Sequence, residues 1–236
     1  MKKIFTLLAL LSIHQSIASA DDLLLSHQIN FYTNSLGGIP SDETFNYFGA
    51  DYGAYYSYDD FSLANDSYVT KATWTGYFSN GGLPAAEYPD VVADFNIRFA
   101  NSSAGNPSDT GFTQRAVTAT VTPGRLWGTS TLIQIYNFEA TFDSPVYLSK
   151  DEKYWFSTAL STPFDTSFYW ESENNNSYYG TAASYRVDYD EWQSVNYATN
   201  FMLYGDLAPI PIPAAVWLFG SALLGLVGMG RRQFLN

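Results

Sequence analysis

The sequence predicts an all-β protein whose body is an antiparallel β-sandwich with a jelly-roll-like arrangement of strands. Three observations predict it: short segments alternate apolar with polar residues, aromatic residues make up 18% of the chain, and turn-forming residues separate the segments. An alternation of period two gives a strand with one buried face, and aromatic and β-branched residues favour strands. We expect a jelly roll because so many strands need their edges protected.

The first 20 residues have the layout of a secretory signal peptide. Lys2–Lys3 is basic, Ile4–Leu11 is a short apolar segment, and the small residues Ala18 and Ala20 form a cleavage signal. We therefore expect passage through the export translocon and a mature chain that begins at residue 21.

Residues 21–206 are expected to form one domain, the β-sandwich body. Val91–Phe99 shows the clearest alternation, with Phe95 and Ile97 on its apolar face. Further strands are predicted at Tyr68–Phe78, Arg115–Val121, Thr131–Phe142, Lys153–Leu160, Ser167–Glu171, Ser184–Tyr189 and Asn200–Gly205. Turns are predicted at 80–82, 101–107, Pro123–Gly124, Ser144–Pro145, Ser149–Glu152 and Asn174–Ser177. Residues 21–66 show the weakest pattern.

Two of these strands carry finer expectations. In the segment from residue 68 to 78, the pattern places Tyr68 and Trp74 together on the apolar face. In the segment from residue 131 to 142, the alternation changes phase near Gln134, which predicts a β-bulge because an extra residue reverses the facing of those that follow.

Composition limits the partners and the chemistry. The chain has no cysteine, so it has neither disulfides nor thiolate metal sites. The body carries all 23 acidic residues but only 7 of the 11 basic ones. This charge argues against nucleic acid and against anionic membrane surfaces as partners. It is compatible with neutral glycans and with divalent cations.

Few residues suit catalysis. His27 is the single histidine beyond the signal peptide, so a Ser–His–Asp triad would have to use it, close to the mature N-terminus. Carboxylate pairs that could hydrolyse a glycoside are Glu171 with Glu173, and the adjacent Asp59–Asp60. Residues two apart on a strand share a face at about 6–7 Å. Because that spacing is common, we expect solvated acidic strands and no catalytic residue.

A third acidic group is the candidate for a structural calcium ion. Asp188, Asp190 and Glu191 offer the oxygen ligands that calcium prefers, although they lack the spacing of an EF-hand loop. They also form a further candidate carboxylate set for glycoside hydrolysis. We expect no other cofactor.

Aromatic side chains are the candidates for glycan binding. Sugar rings stack their C–H faces on Trp and Tyr, whose polar tips tolerate water. Trp127, Trp170 and Trp192 are the candidates, the last two because acidic residues adjoin them. Core packing competes with this interpretation at each position, and Trp74 is expected in the core.

Residues 207–236 form a tail with three parts. The Pro-rich segment spans 210–214, and a predicted single transmembrane helix spans about 213–230. From residue 210 to 230 no residue is charged, and about 20 apolar residues suffice to cross a bilayer. Arg231 and Arg232 follow and are expected to stay on the cytoplasmic side.

This tail resembles the PEP-CTERM family of bacterial sorting signals. Pro211, Ile212, Pro213 and Ala214, followed by the Trp-Leu-Phe-Gly-Ser run, match its Val-Pro-Leu-Pro-Ala (VPLPA-CTERM) variant, with Ile212 in the place of Leu. The resemblance implies a Gram-negative host with an extracellular polysaccharide, and processing at or near these residues by an exosortase, a membrane peptidase. The alternative is a permanent single-span anchor. Phe201–Gly205 also resembles the last strand of secreted β-sandwich domains carried by such proteins.

Together these features predict a non-enzymatic exported protein of the cell surface or extracellular matrix, associated with exopolysaccharide or biofilm and able to bind glycan. It would be anchored transiently in the inner membrane and then sorted to the surface or outside the cell. The expected partners are the translocon, the exosortase and polysaccharide. The alternatives are a secreted carbohydrate-active enzyme and a self-associating adhesin.

Overall fold

The computed structural model describes residues 21–27, 36–41, 46–47, 50–51, 54–78, 92–108, 112–127, 133–161, 167–173, 182–186, 191–195 and 198–209. Within these residues every regular element is a β-strand, so the predicted all-β class is confirmed. They include no helix long and apolar enough to cross a membrane. The predicted signal peptide with Ala18 and Ala20, and the tail from residue 210 onward, lie outside the described residues.

Sixteen strands are present in the described residues. They are β1 (Asp22–His27), β2 (Leu36–Pro40), β3 (Asn46–Tyr47), β4 (Ala50–Asp51), β5 (Tyr55–Phe61), β6 (Ser67–Phe78), β7 (Val92–Ser103), β8 (Asn106–Pro107), β9 (Thr113–Trp127), β10 (Ile133–Leu148), β11 (Tyr154–Leu160), β12 (Phe168–Glu173), β13 (Ala182–Arg186), β14 (Glu191–Val195), β15 (Ala198–Thr199) and β16 (Phe201–Leu207).

One antiparallel sheet contains fourteen strands, ten of which follow one another in the order β1-β16-β6-β10-β9-β7-β11-β5-β13-β14. The short strand β8 lies off this path and pairs with β7. β12 pairs with the end of β6 that β16 leaves open, and it also pairs with β2 and β15. The sheet curls, since rings from its two halves meet: the Phe156 ring of β11 stacks on the Phe201 ring of β16 with centroids 4.7 Å apart. Curling gives the sheet an inner face around the core and an outer face.

The core is aromatic because alternate residues of the long strands all point inward. Trp74, Phe95 and Phe138 are each at most 2% exposed. Trp74 stacks on Phe138 at 5.6 Å and meets the Phe95 ring edge at 5.0 Å. Burying such a side chain contributes roughly 1.5–3 kcal/mol. The apolar face predicted for Val91–Phe99 is confirmed for its described residues, Ala93 to Phe99, and Val91 lies outside them. The apolar face of Arg115–Val121 and the core position of Trp74 are confirmed as well.

The strands contain bulges at several register shifts. The one expected near Gln134 is confirmed, since the β9–β10 register shifts between Gln134 and Tyr136. Pro123–Gly124 and Ser144–Pro145 were predicted as turns, and those predictions are wrong: both lie within long strands, at shifts in the register of β9 and β10. A bulge uses the same Gly and Pro chemistry as a turn because it leaves ladder groups unpaired.

A further shift turns Tyr68 outward, against its predicted core position. β10 pairs Thr141 with Lys71 but Val146 with Val69, so the facing of β6 changes between residues 69 and 71. Val69 is fully buried and Tyr68 is 39% exposed. Tyr68 and Val69 are adjacent apolar residues, so only one of them can face the core. The bulge places Val69 inward and Tyr68 outward.

Candidate functional site

The outer face of the sheet carries a depression with several threonines in its lining, which we call the threonine groove. It is a cavity of about 360 Å³ over β9, β10, β6 and β16. Its lining includes the side chains of Thr73, Thr75, Thr120, Thr122, Asn137 and Tyr204. They point outward because their neighbours along each strand fill the core.

The strand register arranges these side chains in two rows across the sheet. Asn137 lies opposite Thr75 on one side and Thr122 on the other. Glu139 lies in the same way between Thr73 and Thr120. Neighbouring strands lie about 4.8 Å apart, and successive rows of one face lie roughly 7 Å apart. The groove is therefore a regular array of hydroxyl, amide and carboxylate groups.

One end of the groove rests on a buried ionic network. Glu171 of β12 is fully buried and forms a salt bridge with Arg125 of β9. Thr75 Oγ1 donates a hydrogen bond to Glu171 Oε2 at 2.6 Å, and Asn200 Nδ2 donates to Thr75 Oγ1 at 2.9 Å. Because the Thr75 hydroxyl proton is committed to Glu171, the hydroxyl can offer a ligand in the groove only an acceptor.

Tyr77 borders the same network. Its ring stacks on the Tyr169 ring with centroids 5.2 Å apart and planes 7° apart. Burial, together with the charges of Tyr169 and Glu171, raises the pKa of Tyr77 to about 12. Its hydroxyl therefore stays protonated at physiological pH. The ring fits because Gly38 on β2 has no side chain; a Cβ there would lie 2.3 Å from the Tyr77 hydroxyl oxygen.

A second polar cluster joins β1 to β5. Asp59 is fully buried, and its Oδ2 accepts hydrogen bonds from the Thr199 backbone N–H at 2.6 Å and the Thr199 hydroxyl at 2.8 Å. His27 Nδ1 lies 3.3 Å from the same oxygen. Burial lowers the pKa of His27, but the nearby carboxylate of Asp59, with the charge of Asp60, outweighs burial and raises that pKa.

This cluster does not have the geometry of a hydrolase triad. In a triad the hydroxyl contacts the imidazole, on the nitrogen opposite the one that faces the carboxylate. Here the Thr199 hydroxyl contacts the carboxylate of Asp59. His27 itself is held in strand β1, opposite Phe201 of β16. The three residues therefore tie an edge strand to the sheet.

The other predicted carboxylate pairs are separated or partly undescribed. Asp59 is buried, whereas Asp60 lies 2.6 Å from the Lys153 Nζ on the opposite face of the strand, so the two acids do not converge. Glu171 forms its salt bridge with Arg125, and the Glu173 side chain lies outside the described residues.

The calcium candidates are not described as a group. Asp188 and Asp190 lie outside the described residues, and Glu191 begins β14 with its side chain likewise outside them. In the part of the chain that the structure describes, no three metal-binding side chains come together.

The three tryptophan candidates for glycan binding differ in burial and in whether their rings are described. Trp170 is fully buried, and its Nε1 donates to the Asn200 carbonyl at 3.2 Å, so core packing, the competing interpretation, is confirmed at this position. Trp127 is half-buried at the end of β9. Trp192 pairs with Tyr185 in the β13–β14 ladder, and its ring lies outside the described residues.

The threonine groove was missed because polar alternation shows that a face is outward, but not that it is concave. The available signal was the spacing of threonines two apart, at Thr73 and Thr75 and again at Thr120 and Thr122. Comparison with protein-family models, with curated proteins and with solved structures finds no match to this chain. Fold and site together define an all-β protein with a hydroxyl-rich outer groove.

Proposed function

We propose that this chain is a non-enzymatic, exported protein of the cell surface or extracellular matrix, and that it binds polysaccharide in the threonine groove. The observation that carries the proposal is the array of hydroxyl and amide groups around Asn137, with Tyr204 at its side. Sugar hydroxyls pair with such donors and acceptors, and sugar C–H faces pack on a tyrosine ring. The groove opens to solvent on the outer face of the sheet, which leaves it accessible to a polymer.

The charges beside the groove favour a neutral glycan. Lys71 Nζ lies 3.8 Å from Glu139 Oε2 and 4.5 Å from the centre of the Tyr204 ring, so its charge is already compensated. The body as a whole is acidic. A polyanionic sugar would meet repulsion, because like charges raise the free energy of the complex.

We extend the proposal to the layering of the strands in the body and to the export of the protein. The body is a jelly-roll-like sandwich, in which β16, β6 and β10 form one layer and β7, β11 and β5 the other. The 5.0 Å contact between the Trp74 and Phe95 rings across the core supports this layering. The signal peptide directs export, and an exosortase processes the PEP-CTERM-type tail at or near Pro211–Ala214.

The sorting part is tested by the mass of the C-terminal peptide of the mature protein from its native producer. A terminus near Pro211–Ala214 supports exosortase processing. A terminus at Asn236 refutes processing and leaves a permanent anchor.

The binding part is tested by retention of the mature protein on the producer's own polysaccharide. Asn137→Ala removes the central amide of the groove and should reduce retention. Asn101→Ala is the matched control, because Asn101 is exposed at the end of β7 and does not line the groove. Equal retention of the two variants would refute binding in the groove. Release of new sugar ends during incubation would instead support an enzyme.

A further inference from the structure

Two exposed tyrosines form an aromatic pair on the outer face. Tyr68 of β6 lies directly opposite Tyr147 of β10 in the ladder. Their ring centroids are 5.3 Å apart, with the planes tilted by 53°. They are 39% and 50% exposed, so each ring presents surface to solvent.

The local backbone is arranged to hold this pair outward. The register shift between β6 and β10 turns Tyr68 away from the core. β16 shifts register against β6 at the same level, between Tyr204 and Gly205. A Cβ on Gly205 would lie 1.9 Å from the Tyr68 carbonyl oxygen, so only glycine allows this approach. Bulges that re-aim a side chain often occur beside functional sites.

The tyrosine pair and the threonine groove share one face and one direction. Along β6 the outward residues run from Thr75 and Thr73 through Lys71 to Tyr68. Tyr204 lies opposite Lys71, between the two regions. Seven residues of strand span about 20 Å, the length of several sugar rings. One extended chain could therefore contact both.

The chemistry along this path identifies the occupant as a sugar polymer. Aromatic rings occur at Tyr204 and at the pair, the Lys71 charge lies beside Tyr204, and the hydroxyl and amide groups of the groove lie on the other side of Tyr204 from the pair. An apolar helix or a lipid chain would leave those polar groups without hydrogen-bond partners, which is costly. A sugar chain offers hydroxyls along its edges and C–H faces toward the rings.

We propose that Tyr68 and Tyr147 form a stacking subsite for a neutral polysaccharide chain that lies along β6 and also occupies the threonine groove. This inference rests on the proposed function and adds a minimum ligand length. Short fragments reach the groove alone, whereas longer fragments reach the tyrosine pair as well.

The test measures the affinity of the mature protein for size-fractionated fragments of its producer's neutral exopolysaccharide. Replacing both tyrosines with alanine should weaken the binding of long fragments by about tenfold and leave short fragments unchanged. Replacing both with phenylalanine, which keeps the rings, should restore most of that affinity. Phe112→Ala is the control, because Phe112 is an exposed aromatic residue immediately before β9 and does not line the groove.

The outcomes separate the two proposals. If wild-type protein binds no fragment, both fail. If Asn137→Ala weakens binding but loss of the tyrosine rings does not, the groove stands and the stacking subsite is refuted. An equal loss for short and long fragments also refutes it. If the alanine variant instead changes only the sedimentation of the protein, the pair is an interface between protein copies and the subsite is refuted.

Discussion

Removing either partner of the Arg125–Glu171 pair should have unequal effects on stability. The two side chains differ in burial: Glu171 is fully buried, whereas Arg125 is 38% exposed. Arg125→Met leaves a buried carboxylate that, among the described residues, still accepts a side-chain hydrogen bond from Thr75. Stranding a buried charge costs roughly 3–5 kcal/mol, and the Thr75 bond favours the lower end, about 3 kcal/mol.

Glu171→Gln removes the negative charge of the pair and keeps Arg125. The guanidinium of Arg125 is already more than a third exposed, so water can replace part of the lost contact, and an amide oxygen can still accept from Thr75. The cost should be close to that of an exposed ion pair, about 1 kcal/mol. A count of lost hydrogen bonds would give equal costs, because each substitution removes only the contact between residues 125 and 171. The difference in burial makes Arg125→Met the more costly of the two.

Urea unfolding of the mature protein measures both costs, provided that the slope m stays constant between variants. For a domain of this size, about 3 kcal/mol corresponds to a fall in Tm of roughly 6–12 °C and about 1 kcal/mol to roughly 2–4 °C. Glu139→Gln is the control, because its 3.8 Å contact with Lys71 is exposed and should contribute little. A larger cost for Glu171→Gln than for Arg125→Met would refute this reasoning.

Three further predictions concern residues that hold the sheet together. His27→Gln should destabilise the protein at low pH. Burial lowers the pKa of His27, but Asp59 and Asp60 together outweigh burial and raise it, so the wild-type advantage is full below about pH 6.5 and is lost as pH rises through the folded-state pKa. An equal difference in Tm between wild type and variant at low and high pH would contradict this. Gly205→Ala should cost more than about 2 kcal/mol, because the added Cβ would overlap the Tyr68 carbonyl oxygen. Gly105→Ala should cost only about 1 kcal/mol, because no atom lies within 4 Å of its Cβ and only the positive φ of Gly105 is unfavourable. Equal urea midpoints for the two variants would refute this prediction. Trp170→Phe should cost about 1–3 kcal/mol by thermal unfolding and leave polysaccharide retention unchanged; reduced retention would show that the ring has a role in binding.

Alternation predicted the core strands because each inward residue has polar neighbours, as Phe95 and Ile97 do. It also predicted the bulge near Gln134, since the residues on either side of it change phase visibly. It failed at Tyr68–Val69, where two adjacent apolar residues offer both phases and only the bulge decides between them. Pro123–Gly124 failed for a related reason: turns and bulges use the same residues.

The candidate site was harder to predict than the core. Residue type indicated tryptophan as the stacking residue, yet depth within the sheet decides whether a ring is available, and Trp170 is fully buried. The threonines of the groove come from strands β6 and β9, which do not pair with each other directly. Their alignment depends on the register of β10 between them, which involves residues distant in the chain.

The position of β16 in the sheet has a consequence for the order of folding. β16 lies between β1 and β6, and the contact of Thr70 with Tyr204 joins residues 134 positions apart. During synthesis from the N-terminus, β1 cannot pair with β16 until Phe201–Leu207 has emerged. Until then the edge of β6 that pairs with β16 also stays open. Pairing at such long range is slow, and open edges promote aggregation. The step that completes the sheet is thus the arrival of its last described strand, and variants that weaken β16 should slow refolding as well as lower stability.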